Sequence, residues 1–468
     1  MNELVNLPSM PGLADSEQDT LRRLVNQLAA VRSKNLLLSA YYDGKRTLKS
    51  LGIAIPPNMR IDTALQWPER AVKALASKHV FEGFTLDGSS DPFEAGELLE
   101  QNQFGLDLMQ GINSAYKHAC SFLTVSHGDA DAGEPEVVVQ ARSAESTTAL
   151  WDKRTRSISA ALAVIDIDNF GKATDFQLMF RGYQWRFRRN EVGRWEGHRT
   201  EGIPGRVLVE MLRHDPQLNR PFGASRINRE VRYLTDAAIR TLARAELSGE
   251  FFSAPQRYAL GVDRKAFDGD DSKWTATMGR IWALQSNEDG EVPTVGQFPQ
   301  VSMEPHLAHY RQLAQNFAAA TSLPMSMVGQ FGDNPASAEA MQSADAERAE
   351  LADLQWRVFT PALVRTLQSM VMLRDGSSEV PAGSWKTRIA FKPTRYVSPQ
   401  SSGDFISKAV AAVPKIGETT EALRGLGFNE AQIEGMQSEW RRAGQSGVLE
   451  QLLAGRAPVA ETVAPAGE

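Results

Sequence analysis

Three short patterns carry side chains able to do chemistry. In Asp166-Ile167-Asp168 two carboxylates stand two residues apart at the end of an apolar run. Hard oxygen ligands at that spacing can hold a divalent cation. The two-residue period of a strand explains the same residues without a metal, with Ile165 and Ile167 inward and both acids outward. Two carboxylates define a metal site too loosely, so the strand reading is preferred. His306 and His309 are three apart and would share a helix face. A bound metal takes three or four ligands and only Glu304 stands nearby, so a packed or solvated pair is preferred. Arg181 to Arg199 holds six arginines interleaved with Tyr183, Trp185, Phe187 and Trp195. Aromatics beside a basic track can stack nucleic-acid bases. Such a face needs a broader basic stripe, and Glu191 and Glu196 dilute this one. A twisted hairpin with its aromatics packed inward is the preferred reading.

Cys120, close to Phe122, Leu123 and Val125, reads as a buried small hydrophobe rather than a nucleophile. Met325 and Met327 lie in a loop bounded by prolines, where they fit either core filling or adaptable contacts. The chain contains no G-x-x-x-x-G-K-[ST], no H-E-x-x-H, no paired C-x-x-C and no G-x-S-x-G. No cofactor, metal or catalytic residue is therefore expected.

The elements that must position these residues come in three blocks, mainly helical in an α+β chain. First come helices: Asp15 or Ser16 caps one that runs to Tyr41-Tyr42, with Leu21, Leu24, Val25, Leu28 and Val31 on one face. Trp67-Pro68 opens a second, and 92–102 and 106–117 read as two more. A short strand at 80–84 lies within this helical block; from Ala119 the period changes to two, with strands at 121–125, 136–142, 157–167, 175–181 and 183–189 and a hairpin turn at Asn190–Gly193. Helix returns from Ser225 to Gly249 and from Glu304 to Ala320. Between them lies a small insert with strands at 256–262 and 295–298 and a helix at 274–284, too small for much of a core. The longest helix opens at Ser337 and reaches Arg374. Leu351, Leu354, Val358, Ala362, Leu367 and Met370 form its expected buried stripe, and Pro361 its expected kink. A strand at 387–392 and a small helical end piece follow, and the Ala- and Pro-rich end from about Gly455 should be disordered.

The chain has 468 residues, 42% hydrophobic and 23% charged, enough for a sizeable core. One cysteine excludes a disulfide scaffold. No apolar run approaches a bilayer span, and Met1-Asn2-Glu3-Leu4 does not resemble a signal peptide, so a cytoplasmic chain is expected. A net charge of −6 argues against a large nucleic-acid grip but not against a protein that surrounds nucleic acid.

This series of elements, together with several strings in order, resembles the tailed-phage portal proteins of the SPP1-like family, especially those of actinobacterial phages. The strings are Ser39-Ala40-Tyr41-Tyr42-Asp43-Gly44, Trp67-Pro68-Glu69-Arg70-Ala71-Val72 and Thr148-Ala149-Leu150-Trp151-Asp152. Further on come Asn219-Arg220-Pro221-Phe222-Gly223-Ala224-Ser225-Arg226-Ile227, Phe251-Phe252-Ser253-Ala254-Pro255-Gln256-Arg257-Tyr258 and Asp333-Asn334-Pro335-Ala336-Ser337-Ala338-Glu339-Ala340. The likeness covers about residues 15–445.

The resemblance implies a non-enzymatic ring, typically a dodecamer, at one capsid vertex. Double-stranded DNA passes through it without sequence specificity, driven by the terminase. A head–tail adaptor docks later, and the major capsid and scaffold proteins are further partners; no membrane is involved. The place implied is the virion, and the host cytoplasm during assembly. Residues 1–222 and 337–398 would form the wing, 223–250 and 301–322 the stem helices, and 251–300 the clip. Residues 323–336 would form the tunnel loop, 399–450 the crown and 451–468 a disordered tail. Met325, Met327, Gln330, Phe331, Asp333 and Asn334 would then face DNA. Glu339, Asp345 and Glu347 would be channel acids, and Tyr258, Trp274, Arg280 and Trp282 would serve docking at the clip.

From Leu323 to Asp353 the acids are Asp333, Glu339, Asp345, Glu347, Glu350 and Asp353, against Arg348 alone, a net of −5. Such a wall repels phosphate and lets DNA slide; a solvated helix start explains the same acids. The rival functions are another structural virion protein, such as an adaptor or capsid component, and a metal-dependent transferase using Asp166 and Asp168.

Overall fold

A computed structural model describes residues 9–46, 62–129, 131, 133–253, 257–260, 292, 294–297, 302–329, 338–395, 399–428, 432–433 and 435–442. The chain divides into two units, Met1–Thr394 and Arg395–Glu468. Helix α1 (Asp15–Tyr42) is capped at Ala14 rather than at Asp15 or Ser16: the Glu17 carboxylate accepts the Ala14 N–H at 2.7 Å. Leu21, Leu24, Val25 and Leu28 are buried, but Val31 is exposed. The reason is that α1 serves two cores. Its first half packs on a β-sheet, while Leu38 and Tyr41 enter a second, larger cluster; Val31 falls between them.

After α2 (Trp67–Ala76), β1 (Phe81–Thr85), α3 (Gly96–Gln101) and α4 (Phe104–His118) comes the strand block. Its members are β2 (Cys120–His127), β3 (Val137–Ser143), β4 (Thr147–Asp152), β5 (Ser157–Ile167), β6 (Ala173–Phe180), β7 (Tyr183–Arg189), β8 (Trp195–Glu201) and β9 (Val209–Arg213). Strands β4-β5-β6-β7-β8 form one antiparallel sheet and β3-β2-β9 another. Sequence periodicity missed β4, β8 and β9. Strands β4 and β8 are sheet edges, and β8 (Trp-Glu-Gly-His-Arg-Thr-Glu) has the charged, non-alternating character that protects an open edge. In β9 the polar Glu210 is satisfied by Arg365 at 2.8 Å, which hides its place among buried Val209, Met211 and Leu212. The expected turn forms: Gly193 N–H donates to Asn190 at 2.8 Å, with Gly193 at φ +80°.

Helix α5 (Arg229–Ser253) begins four residues later than Ser225 and continues past Gly249. Asn228 sets the start, its side-chain oxygen accepting the Val231 N–H at 2.9 Å. Strands β10 (Arg257–Leu260) and β11 (Thr294–Gln297) pair antiparallel. The helix expected at 274–284 lies outside the described residues. Helix α6 (Glu304–Thr321) packs on α5. Ser248 Oγ near the end of α5 meets His306 Nε2 near the start of α6 at 3.4 Å, while Arg226 ahead of α5 bonds the carbonyl of Thr321. The two helices are thus antiparallel.

A 3₁₀ turn at Met325–Val328 follows, then α7 (Ala338–Arg374), which continues through an exposed Pro361. Its buried stripe is Ala352, Trp356, Phe359, Leu363, Leu367 and Met370. Leu354 is off that stripe and 56% exposed, because Trp356 and Phe359 fix the rotation of the helix against His79, Tyr116 and β12 (Arg388–Phe391). Strand β12 pairs with β1. The second unit holds α8 (Pro399–Ala412), a 3₁₀ turn at Pro414–Glu418, α9 (Thr420–Gly425) capped by Thr419, and helical residues at 435–442.

Gly223 joins the strand block to α5. It sits at φ +78°, and a Cβ there would lie 2.1 Å from the His214 carbonyl oxygen. Both the backbone angle and the space demand glycine. Gly223→Ala is expected to cost about 2–3 kcal/mol, measured by chemical denaturation, and to lower the yield of folded protein.

Candidate functional site

The described residues that fall together around the root of the 323–336 segment come from α2, the 3₁₀ turn and α7. Burial of Trp67, Ala71, Val72 and Leu75 holds α2 in the large core, which leaves Arg70 and Lys78 at its outer side and end. Arg70 Nη1 donates to the Met327 carbonyl at 2.9 Å. From α7, Arg348 Nη1 points at Met327 Sδ, 2.8 Å away, and Arg348 Nη2 binds Asp345. Asp345 also binds Lys78, whose ammonium donates to the Thr394 carbonyl at 2.9 Å. Burial would raise the Asp345 carboxyl, but the hydrogen bonds from Lys78 and Arg348 prevail and hold it below its usual range. Thr394 Oγ1 donates to Asp353 at 2.7 Å, and Ser322 Oγ donates to Glu347 at 2.7 Å. The turn closes on Gly329 at φ +84°, a left-handed position that suits glycine.

The predicted residues are distributed as follows. Met325 packs half-buried against the core, and Met327 is 37% exposed. Asp345 is engaged by two cations of its own subunit, so it offers no free charge. Glu347 is exposed at the surface of α7. Glu339 lies in α7, with its side chain outside the described part. Tyr258 occupies β10 opposite Gly296. Gln330, Phe331, Asp333, Asn334, Trp274, Arg280 and Trp282 lie outside the described residues. Sequence reading missed Arg70, Lys78 and the bond partners of Arg348. A lone base amid acids was the available signal for Arg348; a base facing a distant carbonyl leaves no periodic trace.

The patterns that suggested chemistry resolve into structure. Asp168 accepts the N–H groups of Phe170 and Lys172, both at 2.9 Å, and so shapes the β5–β6 turn. Asp166 accepts from Thr174 at 3.1 Å. Ile167 is exposed rather than inward, because the β5–β6 register shifts on either side of Asp166 and breaks the simple alternation. No group of three or more metal-ligating side chains occurs among the described residues, those around His306 and His309 included. Phe187 is fully buried between sheet and helix, and Arg186 and Arg188 both bind Asp175 of β6, at 2.9 and 3.2 Å. The inward Phe187 is as the hairpin reading expects; that reading turns the arginines to water or a neighbouring subunit, whereas Arg186 and Arg188 neutralise a buried acid of the same sheet. Cys120 is buried, which pushes its thiol up to about 12, far from a reactive thiolate. Among the described residues no helix is long and apolar enough to cross a membrane.

Comparison with known proteins adds the following. Residues 21–445 match the family model described as Phage portal protein, SPP1 Gp6-like. The portal protein of Mycobacterium phage D29 is 24% identical over 427 residues, covering 85% of this chain and 83% of the relative. That of Mycobacterium phage L5 is 29% identical over 356 residues, covering 72% and 71%. A chain of "Neck of native GTA particle computed with C12 symmetry" aligns with 78% of this chain and 90% of its own length, at a TM-score of 0.40 and 12% identity.

Proposed function

The chain belongs to the phage portal protein family, SPP1 Gp6-like, and is a structural rather than a catalytic protein; from that premise we propose that its copies close into a ring, with twelve as the expected number, whose channel conducts double-stranded DNA during packaging and ejection. The observation that carries this reading is the family match, which spans all three sequence blocks rather than one local motif. Heterologous contacts between neighbours close such a ring. The terminase and later the head–tail adaptor dock on the clip, residues 251–300, and the capsid and scaffold proteins hold the wing. The ring assembles in the host cytoplasm and ends at the capsid vertex.

The 323–336 segment is the tunnel loop in this reading, and its root is built for the task. It is held by side chains of α2 and α7, so the part reaching the channel starts from a rigid base. Repulsion of phosphate comes from Glu347, which is exposed on α7, and not from Asp345, whose charge is spent on Lys78 and Arg348. DNA therefore meets weak, sequence-blind contacts and slides. Negative-stain images of the purified protein should show rings with a central hole. Deleting 323–334 should leave rings but abolish DNA-filled heads when the variant complements a portal-null phage. Normal filling with the deletion would remove the loop from the mechanism, and an absence of rings under all assembly conditions would remove the conduit.

A further inference from the structure

Met327 is the one residue of the loop root gripped from two elements at once. Arg70 of α2 holds its carbonyl, and Arg348 of α7 holds its sulfur. The two grips differ in kind. Arg70 is exposed and reaches the backbone, whereas Arg348 is only 6% exposed. The Arg348 guanidinium has a fixed aim: Asp345 takes Nη2, Met327 takes Nη1, and the buried Nε has no hydrogen-bond partner. A buried charge with an unsatisfied N–H is costly, so its place must be enforced from outside. The enforcement is on the far side of Asp345, where Lys78 binds the same carboxylate while anchored to the Thr394 carbonyl. Thr394 is the last residue of the first unit. The polar contacts thus run without a gap from Thr394 through Lys78, Asp345 and Arg348 to Met327.

We propose that Arg348, aimed by Asp345 and Lys78, is a positioning residue that fixes Met327 at the root of the tunnel loop, and that this relay ties the loop's stance to the end of the first unit. The importance of that stance for DNA rests on the conduit reading; the relay itself does not. A guanidinium suits the role because its planar fork meets two acceptors at a set angle, which an ammonium cannot do.

Hydrogen peroxide is a direct probe. It converts a thioether to the sulfoxide: an S–O bond forms, the peroxide O–O bond breaks, sulfur is oxidised and water leaves. Met325, two residues away and packed on the core, is the internal control. The full-length protein is treated with peroxide, and both methionines are followed in one peptide by mass spectrometry. Arg348→Lys should raise the rate at Met327 about fivefold, as expected for losing one hydrogen bond to a weak thioether acceptor, with little change at Met325. Asp345→Asn keeps Arg348 but loosens its aim, and should act in the same direction. Lys78→Met should do so too, although Lys78 does not touch Met327. An unchanged Met327 rate in all three variants overturns the proposal. So does an equal rise at both methionines, which would mean general loosening. Complementation of a portal-null phage separates the two readings. A faster Met327 reaction with undiminished DNA filling keeps the relay as geometry but overturns its role in positioning the loop for DNA. Loss of filling on deletion of 323–334, together with unchanged Met327 rates in the three point variants, keeps the conduit and sinks the relay.

Discussion

Lowering the pH from 7.5 to 4 is expected to remove about 6 kcal/mol of stability from the first unit, about 3 kcal/mol through each of two histidines. His79 is 3% exposed among Trp356, Phe359 and Tyr116, with ring centroids 5.0 to 5.7 Å apart. Burial pulls it down to about 4, against the opposing pull of the Leu75 carbonyl. His214 also packs on Tyr116, with ring centroids 4.7 Å apart, and its Nδ1 meets the Ala224 carbonyl at 2.6 Å. Burial brings it to about 4 as well, and the Arg226 charge adds to the effect. Both folded values lie below the unfolded value of about 6.5, so the unfolded chain takes protons first. Stability is therefore complete above about pH 6.5, falls as the pH drops toward 4, and levels off below that. His118 contributes less to this window, because burial lowers it while Glu145 at 3.1 Å pulls it up. Urea titrations at pH 7.5, 5.5 and 4 should show the fall, and His79→Gln should remove about half of it. A flat profile in the wild type would mean that these rings are hydrated in the folded protein.

Replacing Arg226 by alanine is expected to cost about 3 kcal/mol at neutral pH, from two charge-assisted hydrogen bonds of about 1.5 kcal/mol each. Arg226 Nε donates to the Ala71 carbonyl at 2.6 Å, and Nη2 donates to the Thr321 carbonyl at 2.5 Å. No ion pair joins it to a carboxylate among the described residues. Its counter-charge is instead the carbonyl end of α6, where a cation is favoured by the helix dipole. Its own N–H bonds the Tyr116 carbonyl at 2.9 Å. One residue thus joins α2, α4 and α6 at the point where α5 begins. Arg226→Lys should recover only part of the loss, since an ammonium cannot span both carbonyls in the same geometry. Differential scanning calorimetry should show the transition moving down by about 1 °C per kcal/mol, as the size of the first unit dictates. The alanine variant should also titrate His214 at higher pH, by NMR, because a neighbouring positive charge has gone; an unmoved His214 would place Arg226 outside its field.

The two predictions meet at Tyr116, and none of His79, His214 and Arg226 was marked in the sequence as part of a site. Much of the frame was legible. Trp67-Pro68, the helical stripe of α1 and the alternation of Trp185 and Phe187 with arginines each predicted an element that forms. These signals are local, and local periodicity survives any tertiary arrangement. What was not legible depends on partners far away in the chain. The face of α7 is set by Trp356 and Phe359 meeting α2, α4 and β12, so Leu354 was placed on the wrong side. Glu210 hides β9 because its polarity is answered by Arg365. The acidic run after Leu323 was legible as a count, but Lys78, which takes up Asp345, lies 267 residues upstream. Carbonyl-seeking arginines such as Arg226 and Arg70 have no sequence complement at all, since every residue offers a carbonyl.

Helix α1 has a consequence for how such chains can change length. Its 28 residues make a rod of about 42 Å with one seam on the five-stranded sheet and the next in the large core. The two seams are in phase only because the rod carries a fixed number of turns between them. One added residue near Val31 would rotate one seam by about 100° against the other and move it by about 1.5 Å. Descendants of this protein can therefore vary freely in the loops around the rod, while the rod itself admits whole-turn changes or none. Its length works as a gauge block, setting the separation at which the two cores are built.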